Sequence, residues 1–239
     1  MNGWRAVKAP VMPHPVYRLR PTLARCPTVW NGFRSGEIMD GRAERDERTA
    51  RVRAAFAESI AAKRATLETC ADAIAAAAEH AIEAFRAGHK LLAFGNGGSA
   101  SDAQHLCAEL AGRYVRERPG LPAIALTANT SDLTAIGNDY GYNRVFARLV
   151  EAHGRAGDVA IAISTSGNSP NVLEAVAAAR QRGLATIGLA GRGGGKLAAC
   201  VDVPIVVPSD RTPRIQETHI AVIHVLCELI DEALFPEDR

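Results

Sequence analysis

The chain has 239 residues, 47% of them apolar and 23% charged, the make-up of an ordinary globular protein long enough to bury one large core. No stretch of about eighteen apolar residues occurs, so no membrane-spanning helix is expected. The net charge of +2 is unevenly spread: residues 1–39 carry six Lys/Arg against the single acid Glu37, which leaves −3 on the remainder and excludes a basic nucleic-acid surface there.

Residues 1–39 also hold five of the twelve prolines and both tryptophans, with no periodic apolar face. They read as a disordered, basic, proline-rich extension, and the product is expected to start at Met39. From about Arg42 to Ala87 the sequence is helical, in two pieces. Val52, Phe56 and Ile60 form one stripe, Leu67, Ala71, Ile74, Ala78, Ile82 and Phe85 a second, and Gly88 terminates the run. The first stripe is thin and flanked by charge, so it is expected to pack on a partner subunit as well as on its own domain. This divides the chain into the extension, N-terminal helices over 40–88 that contribute to oligomerisation, and a ligand-binding domain over 89–236.

The stretch LLAFGNGGSASDAQHLCAEL, residues 91–110, runs from four apolar residues through a glycine cluster into a segment with Ala103, Leu106 and Leu110 at helical spacing. That is a strand, a tight turn and a helix. Glycines at 95, 97 and 98 admit a ligand close to the main chain, and the helix N–H groups beyond them suit an anion or a polyol. Gly95, Gly97 and Ala100 approximate a dinucleotide fingerprint, but Thr127 follows Leu126 where an acidic residue is needed, and no Gly-Lys-Ser/Thr follows the turn. On the helix, His105 and Glu109 share a face about 6 Å apart along the axis. They could supply a base and a metal ligand; spacing alone favours a plain surface pair.

Ala123–Leu126, Val159–Ile163, Ala185–Ala190 and Val203–Val207 are short apolar runs without alternation, separated by helical stretches around 143–153 and 170–182. Such runs are buried parallel strands, giving a three-layer α/β/α sandwich around a five-stranded parallel sheet. A long amphipathic helix over 214–234, with Ile215, Ile223, Leu226, Leu229 and Ile230 as its apolar positions, closes the chain. At the end of the third strand stands Ser164-Thr-Ser-Gly-Asn-Ser169-Pro170. Ser169 is a good N-cap and Pro170 suits the first helical position, so four hydroxyls, on Ser164, Thr165, Ser166 and Ser169, surround a helix N-terminus. Ligands of parallel sheets bind at the carboxyl ends of strands, where both this loop and the glycine turn lie, and a phosphate monoester is the expected guest. The five cysteines, Cys26, Cys70, Cys107, Cys200 and Cys227, are scattered and contain no C-x-x-C, as in a reduced cytoplasmic protein.

The order GNGGSASDAQHLCAELAGRY, RPGLPAIAL, GNDYGYN, GDVAIAISTSGNSPNV and RIQETHIAVIH resembles the sugar isomerase (SIS) fold over roughly Glu47 to Leu234, and most closely the sedoheptulose 7-phosphate, or phosphoheptose, isomerases. The resemblance implies a cytoplasmic homotetramer with shared active sites. Its substrate would be sedoheptulose 7-phosphate, converted to D-glycero-D-manno-heptose 7-phosphate early in ADP-heptose supply for lipopolysaccharide core or related glycans. By that resemblance Ser164, Thr165, Ser166 and Ser169 bind phosphate, while Asn96, Gly97, Gly98, Ser99, Asn138 and Asp139 bind the sugar. It further places zinc, one per subunit, on His105, Glu109, Gln216 and His224, with Gln216 also at the substrate and Glu109 and His224 moving protons.

Enediol chemistry needs a base for the carbon-bound proton and an acid for the oxygen, roles a carboxylate and an imidazole can fill, and nitrogen and oxygen donors suit zinc. His219 lies about 140° round the helix from His224 and is left outside the site. Gln216 and His224, about 12 Å apart along one helix, cannot easily meet one ion from one chain, so either Gln216 is non-helical or a neighbouring subunit completes the site. Non-catalytic SIS proteins that associate with a replication initiator lack the acid and second histidine that Glu109 and His224 supply here, and an isomerase of another phosphosugar is the remaining alternative.

Overall fold

The computed structural model describes residues 41–236; the expected extension over 1–39 and the start at Met39 lie outside the described residues. A compact unit begins at Arg45. Helix α1 (Gly41–Arg86) leads into strand β1 (Leu91–Gly95), helix α2 (Gly98–Ala111), strand β2 (Ala123–Ala125), helix α3 (Thr130–Tyr140), helix α4 (Val145–His153) and strand β3 (Val159–Ser164). Helix α5 (Pro170–Gln181), strand β4 (Ala185–Ala190), the single turn α6 (Gly195–Ala198), strand β5 (Val203–Val206) and helix α7 (Thr212–Leu234) complete the order.

The five strands are all parallel, in the order β2-β1-β3-β4-β5. Side chains alternate across each strand, so Leu91, Ala93, Ile161 and Ile163 face one layer, and Leu92, Phe94, Ala160 and Ala162 the other. The first layer is α1, α2 and α7, built on Ala77, Ala81, Leu106, Leu110, Ile223 and Leu226. The second is α4 and α5, where small Ala175 and Ala179 let the helix approach the sheet and Phe94 meets Phe146 at 5.7 Å between ring centroids. The expected sandwich is therefore present, with the apolar runs of β1, β3 and β4 buried on both faces, as central parallel strands require. The edges differ: β2 is only partly covered, and Pro204 is exposed in β5, where its missing N–H costs no central ladder bond.

Two expectations change. The N-terminal helices are one uninterrupted 46-residue helix. The stripe moves round the helix surface without a break because no glycine or proline falls between Gly41 and Arg86 to end the ladder. Helix α3 had no counterpart in the sequence reading, since its stretch has no strong apolar face and none of its residues is buried; Asn129 starts it by accepting from the backbone N–H groups of Ser131 and Asp132.

Candidate active site

Strands β1 and β3 are neighbours, and Gly95 pairs in register with Ile163. The turn after β1 and the loop after β3 therefore leave the sheet side by side at its carboxyl rim, where a crossover in strand order opens a crevice. Asn96 and Asn171 join them: the Asn96 amide donates to Asn171 Oδ1 at 2.9 Å, and the Asn171 amide donates back to Asn96 Oδ1 at 2.8 Å. The Tyr142 hydroxyl donates to the same Asn96 oxygen at 3.2 Å, bringing the segment after α3 onto the rim. These bonds align the two loops, and Gly97 and Gly98 are the exposed part of the turn. Ser99 is buried behind them at the start of α2.

Gln216 stands over that turn. A Cβ built on Gly98 would lie 2.4 Å from Gln216 Nε2, so only glycine lets the amide sit this close to the backbone. In the second loop Ser169 takes the N-cap position of α5 and Pro170 the first turn, as expected, yet the Ser169 hydroxyl makes no capping bond. It pairs with the buried Ser164 hydroxyl at 3.0 Å, while Ser166 Oγ accepts from the Asn168 N–H at 3.2 Å. Gly167 has φ +65, and a Cβ there would meet Gly194 O at 2.0 Å, so the glycine-rich segment after β4 is packed directly on this loop. Thr165 and Ser166 are half-buried at the rim. Asn138 and Asp139, at the end of α3, are exposed and hydrogen-bond each other at 2.8 Å.

A second cluster forms between α2 and α7. His105 Nε2 lies 3.0 Å from Glu109 Oε1, one helical turn on, and 3.5 Å from His224 Nε2. The two imidazoles meet edge to face with centroids 5.1 Å apart, and the Tyr114 ring lies 5.8 Å from His224 on another side. Ligand atoms of His105, Glu109 and His224 all fall within 4.8 Å of one another. The two separations from His105, 3.0 and 3.5 Å, are close to the tetrahedral edge of a zinc ion, about 3.3 Å for bonds of about 2.0 Å, and two nitrogens with a carboxylate oxygen are donors that suit the metal. Three of the four expected ligands thus gather within one chain. Gln216 does not gain its place by leaving the helix: α7 is continuous, and the amide's observed contact is with the glycine turn.

The surroundings carry two perturbed groups. Burial pushes the Asp102 carboxyl, one turn before His105, up to about 6 against the opposing pull of the imidazole, and its Oδ2 has no partner. His219 is fully buried, with Nε2 at 3.1 Å from Ala190 O; burial takes its pKa down to about 4, so it is a neutral core group, as its angular position suggested. Sequence reasoning missed Asn171, Tyr142 and Tyr114, whose partners lie 75, 46 and 110 residues away and leave no local spacing signal.

The parallel sheet with two turns side by side at its rim is the fold of the SIS-domain class, and the SIS domain family model matches residues 55–191. The phosphoheptose isomerase of Rhodospirillum rubrum is 57% identical over 180 residues, covering 75% of this chain and 96% of that protein; that of a Roseiflexus species is 59% identical over 179 residues, covering 75% and 91%. The structure of the Neisseria gonorrhoeae phosphoheptose isomerase superposes with a TM-score of 0.73 at 51% identity, covering 77% of this chain and 98% of that one. A phosphoheptose isomerase from Francisella tularensis gives 0.75 at 40% identity and the same coverage. The chain belongs to the phosphoheptose isomerase family of SIS-domain proteins.

Proposed function

We propose that this enzyme interconverts D-sedoheptulose 7-phosphate and D-glycero-D-manno-heptose 7-phosphate through an enediol. The observation that carries the reading is the convergence of Glu109 and His224, a carboxylate and an imidazole within 4.8 Å, on a molecule that also presents the paired turns. One group takes the proton from the carbon beside the carbonyl while the other serves the oxygen, and returning the proton to the neighbouring carbon completes the transfer. Thr165, Ser166 and the helix end behind them, with Ser164 and Ser169, would bind the phosphate. Asn96, Gly97, Gly98, Ser99 and Gln216, with Asn138 and Asp139, would line the sugar's path.

His105, Glu109 and His224 would hold a zinc ion, which when bound polarises the carbonyl and hydroxyl oxygens of the sugar. We further infer that each site is shared between subunits of a homotetramer. Gly98 and Glu109 are about 16 Å apart along α2, farther than the phosphate and carbonyl ends of a seven-carbon sugar stand from each other. One chain's turns and its own three-residue cluster would then serve different substrates. An apolar stripe on α1, with Val52, Phe56, Ile60 and Leu67 all more than half exposed, gives a second chain a surface to cover. The four described cysteines form no disulfide with one another, and no described helix is long and apolar enough to cross a membrane.

The test is incubation of the purified protein with sedoheptulose 7-phosphate, following aldose formation with and without a chelator. Formation of the aldose supports the assignment, and absence of turnover with zinc supplied overturns it.

A further inference from the structure

Helix α2 ends without a side-chain cap of its own, and its last carbonyls need donors from elsewhere. Backbone N–H groups of Gly112 and Leu121 serve Ala108 O and Leu110 O, and Arg118, seven residues past that end, adds donors to Glu109 O and Leu110 O. Its Nη2 donates to Glu109 O at 2.9 Å, and its Nη1 to Leu110 O at 2.7 Å and Pro119 O at 3.1 Å. Its Nε donates to Asp231 Oδ1 at 2.7 Å, and the side chains of the pair are 1% and 3% exposed. The guanidinium also neutralises the negative end of the helix dipole. A buried ion pair of this kind is weak ground for stability, because desolvating both charges offsets their attraction. The planar Arg118 fork instead ties the carbonyls at the end of α2 to Asp231 of α7 in one directed arrangement.

Asp231 lies seven residues after His224, two turns on and on the same side of α7. The α2–α7 seam is thus joined at two levels: the half-exposed cluster of His105, Glu109 and His224, and beneath it the dry contact of Arg118 with Asp231. The carbonyl that Arg118 holds belongs to Glu109 itself. Glu109 and His105 side chains are 24% and 44% exposed and are not held by packing, so their placement depends on the backbone beneath them. Donor sets for a metal, or for proton transfer, tolerate displacements of only about 0.5 Å.

We propose that Arg118 and Asp231 are positioning residues that set the helix register on which the alignment of Glu109 and His105 with His224 depends. This rests on the isomerase reading for its kinetic arm and on the three-donor cluster alone for its metal arm. Two full-length variants test it: Arg118→Lys, which keeps the charge and loses the fork, and the double variant Arg118→Met with Asp231→Leu, which removes both charges and keeps the volume. Affinity for zinc alone is measured by calorimetry on chelator-stripped protein, with kcat, KM and thermal unfolding alongside.

The expected result is folded protein in which zinc affinity and kcat each fall by about tenfold or more while KM changes by less than about threefold. A folded variant with wild-type zinc affinity and kcat overturns the proposal. Loss of folding in both variants assigns the pair to stability and overturns it too. If the wild type shows no isomerase turnover, the functional assignment fails by itself, and the zinc comparison still decides the role of Arg118.

Discussion

Asn96 and Asn171 exchange two amide hydrogen bonds, at 2.9 and 2.8 Å, across the carboxyl rim of the sheet, and so bind the glycine turn to the start of α5. Asn171 is 3% exposed, so Asn171→Ala removes both bonds where water replaces them poorly. The variant is expected to lose about 1–3 kcal/mol of stability and to raise KM more than it lowers kcat, because the loops proposed to hold the substrate would lose their mutual alignment. Urea unfolding and steady-state kinetics measure the two effects. An unchanged KM in the folded variant would separate the amide pair from substrate binding.

Glu109→Gln keeps the size of the side chain and removes its basicity. Since, among the described residues, the Glu109 side chain bonds only to His105, on a half-exposed surface, the fold is expected to be untouched. Turnover should fall by about 10²–10⁴-fold, and His224→Gln should be similarly impaired. Turnover near that of the wild type in either folded variant removes that residue from the proton transfer.

Two glycine substitutions should separate binding from stability. Gly98→Ala brings a methyl group to within 2.4 Å of the far end of Gln216, which can swing away. Stability should change by about 0.5 kcal/mol or less, while KM rises as Gln216 leaves its place over the turn. Gly167→Ala meets backbone instead, Gly194 O at 2.0 Å, from a residue with φ +65. The left-handed backbone alone costs about 1–2 kcal/mol and the clash adds to it, so the thermal midpoint should drop clearly. Equal midpoints for the two variants would contradict the packing of the two loops.

His219 gives a pH signature. Its folded pKa of about 4 lies below the ordinary value of 6.5, so between those limits the unfolded chain binds the extra proton. The stability this neutral group contributes is complete above about pH 6.5 and falls as pH drops toward 4, by roughly 3 kcal/mol at most. Asp102, raised to about 6, acts in the opposite sense between its ordinary value and 6, so the comparison must be with His219→Gln, which retains the Asp102 contribution and a donor for Ala190 O. The difference in unfolding free energy between the two proteins should shrink with acid over this window. A constant difference would show that His219 is not titrating as described.

Much of the fold was legible along the chain because its causes are local. Unalternating apolar runs at 91–95, 159–164 and 185–190 can be buried on two faces only in the middle of a parallel sheet, and Ser169-Pro170 marks a helix start wherever it stands. Helix α3 was not legible, because nothing in it is buried and its cap is a single asparagine. His105 and Glu109 could be named from a spacing of four, but the same spacing describes an ordinary surface pair. Their meeting with His224, 119 residues from His105, depends on how α2 packs against α7.

The sequence by itself determined the layers, the two turns and the side of the sheet on which they open, since strand periodicity and turn chemistry act over a few residues. Only the tertiary structure decided that Asn96 pairs with Asn171 and that Gln216 attends the glycine turn while His224 joins His105 and Glu109. It also decided that Arg118 holds the end of α2. Each of these rests on side chains brought together from distant segments, where hydrogen-bond geometry and desolvation act through space and leave no period in the chain.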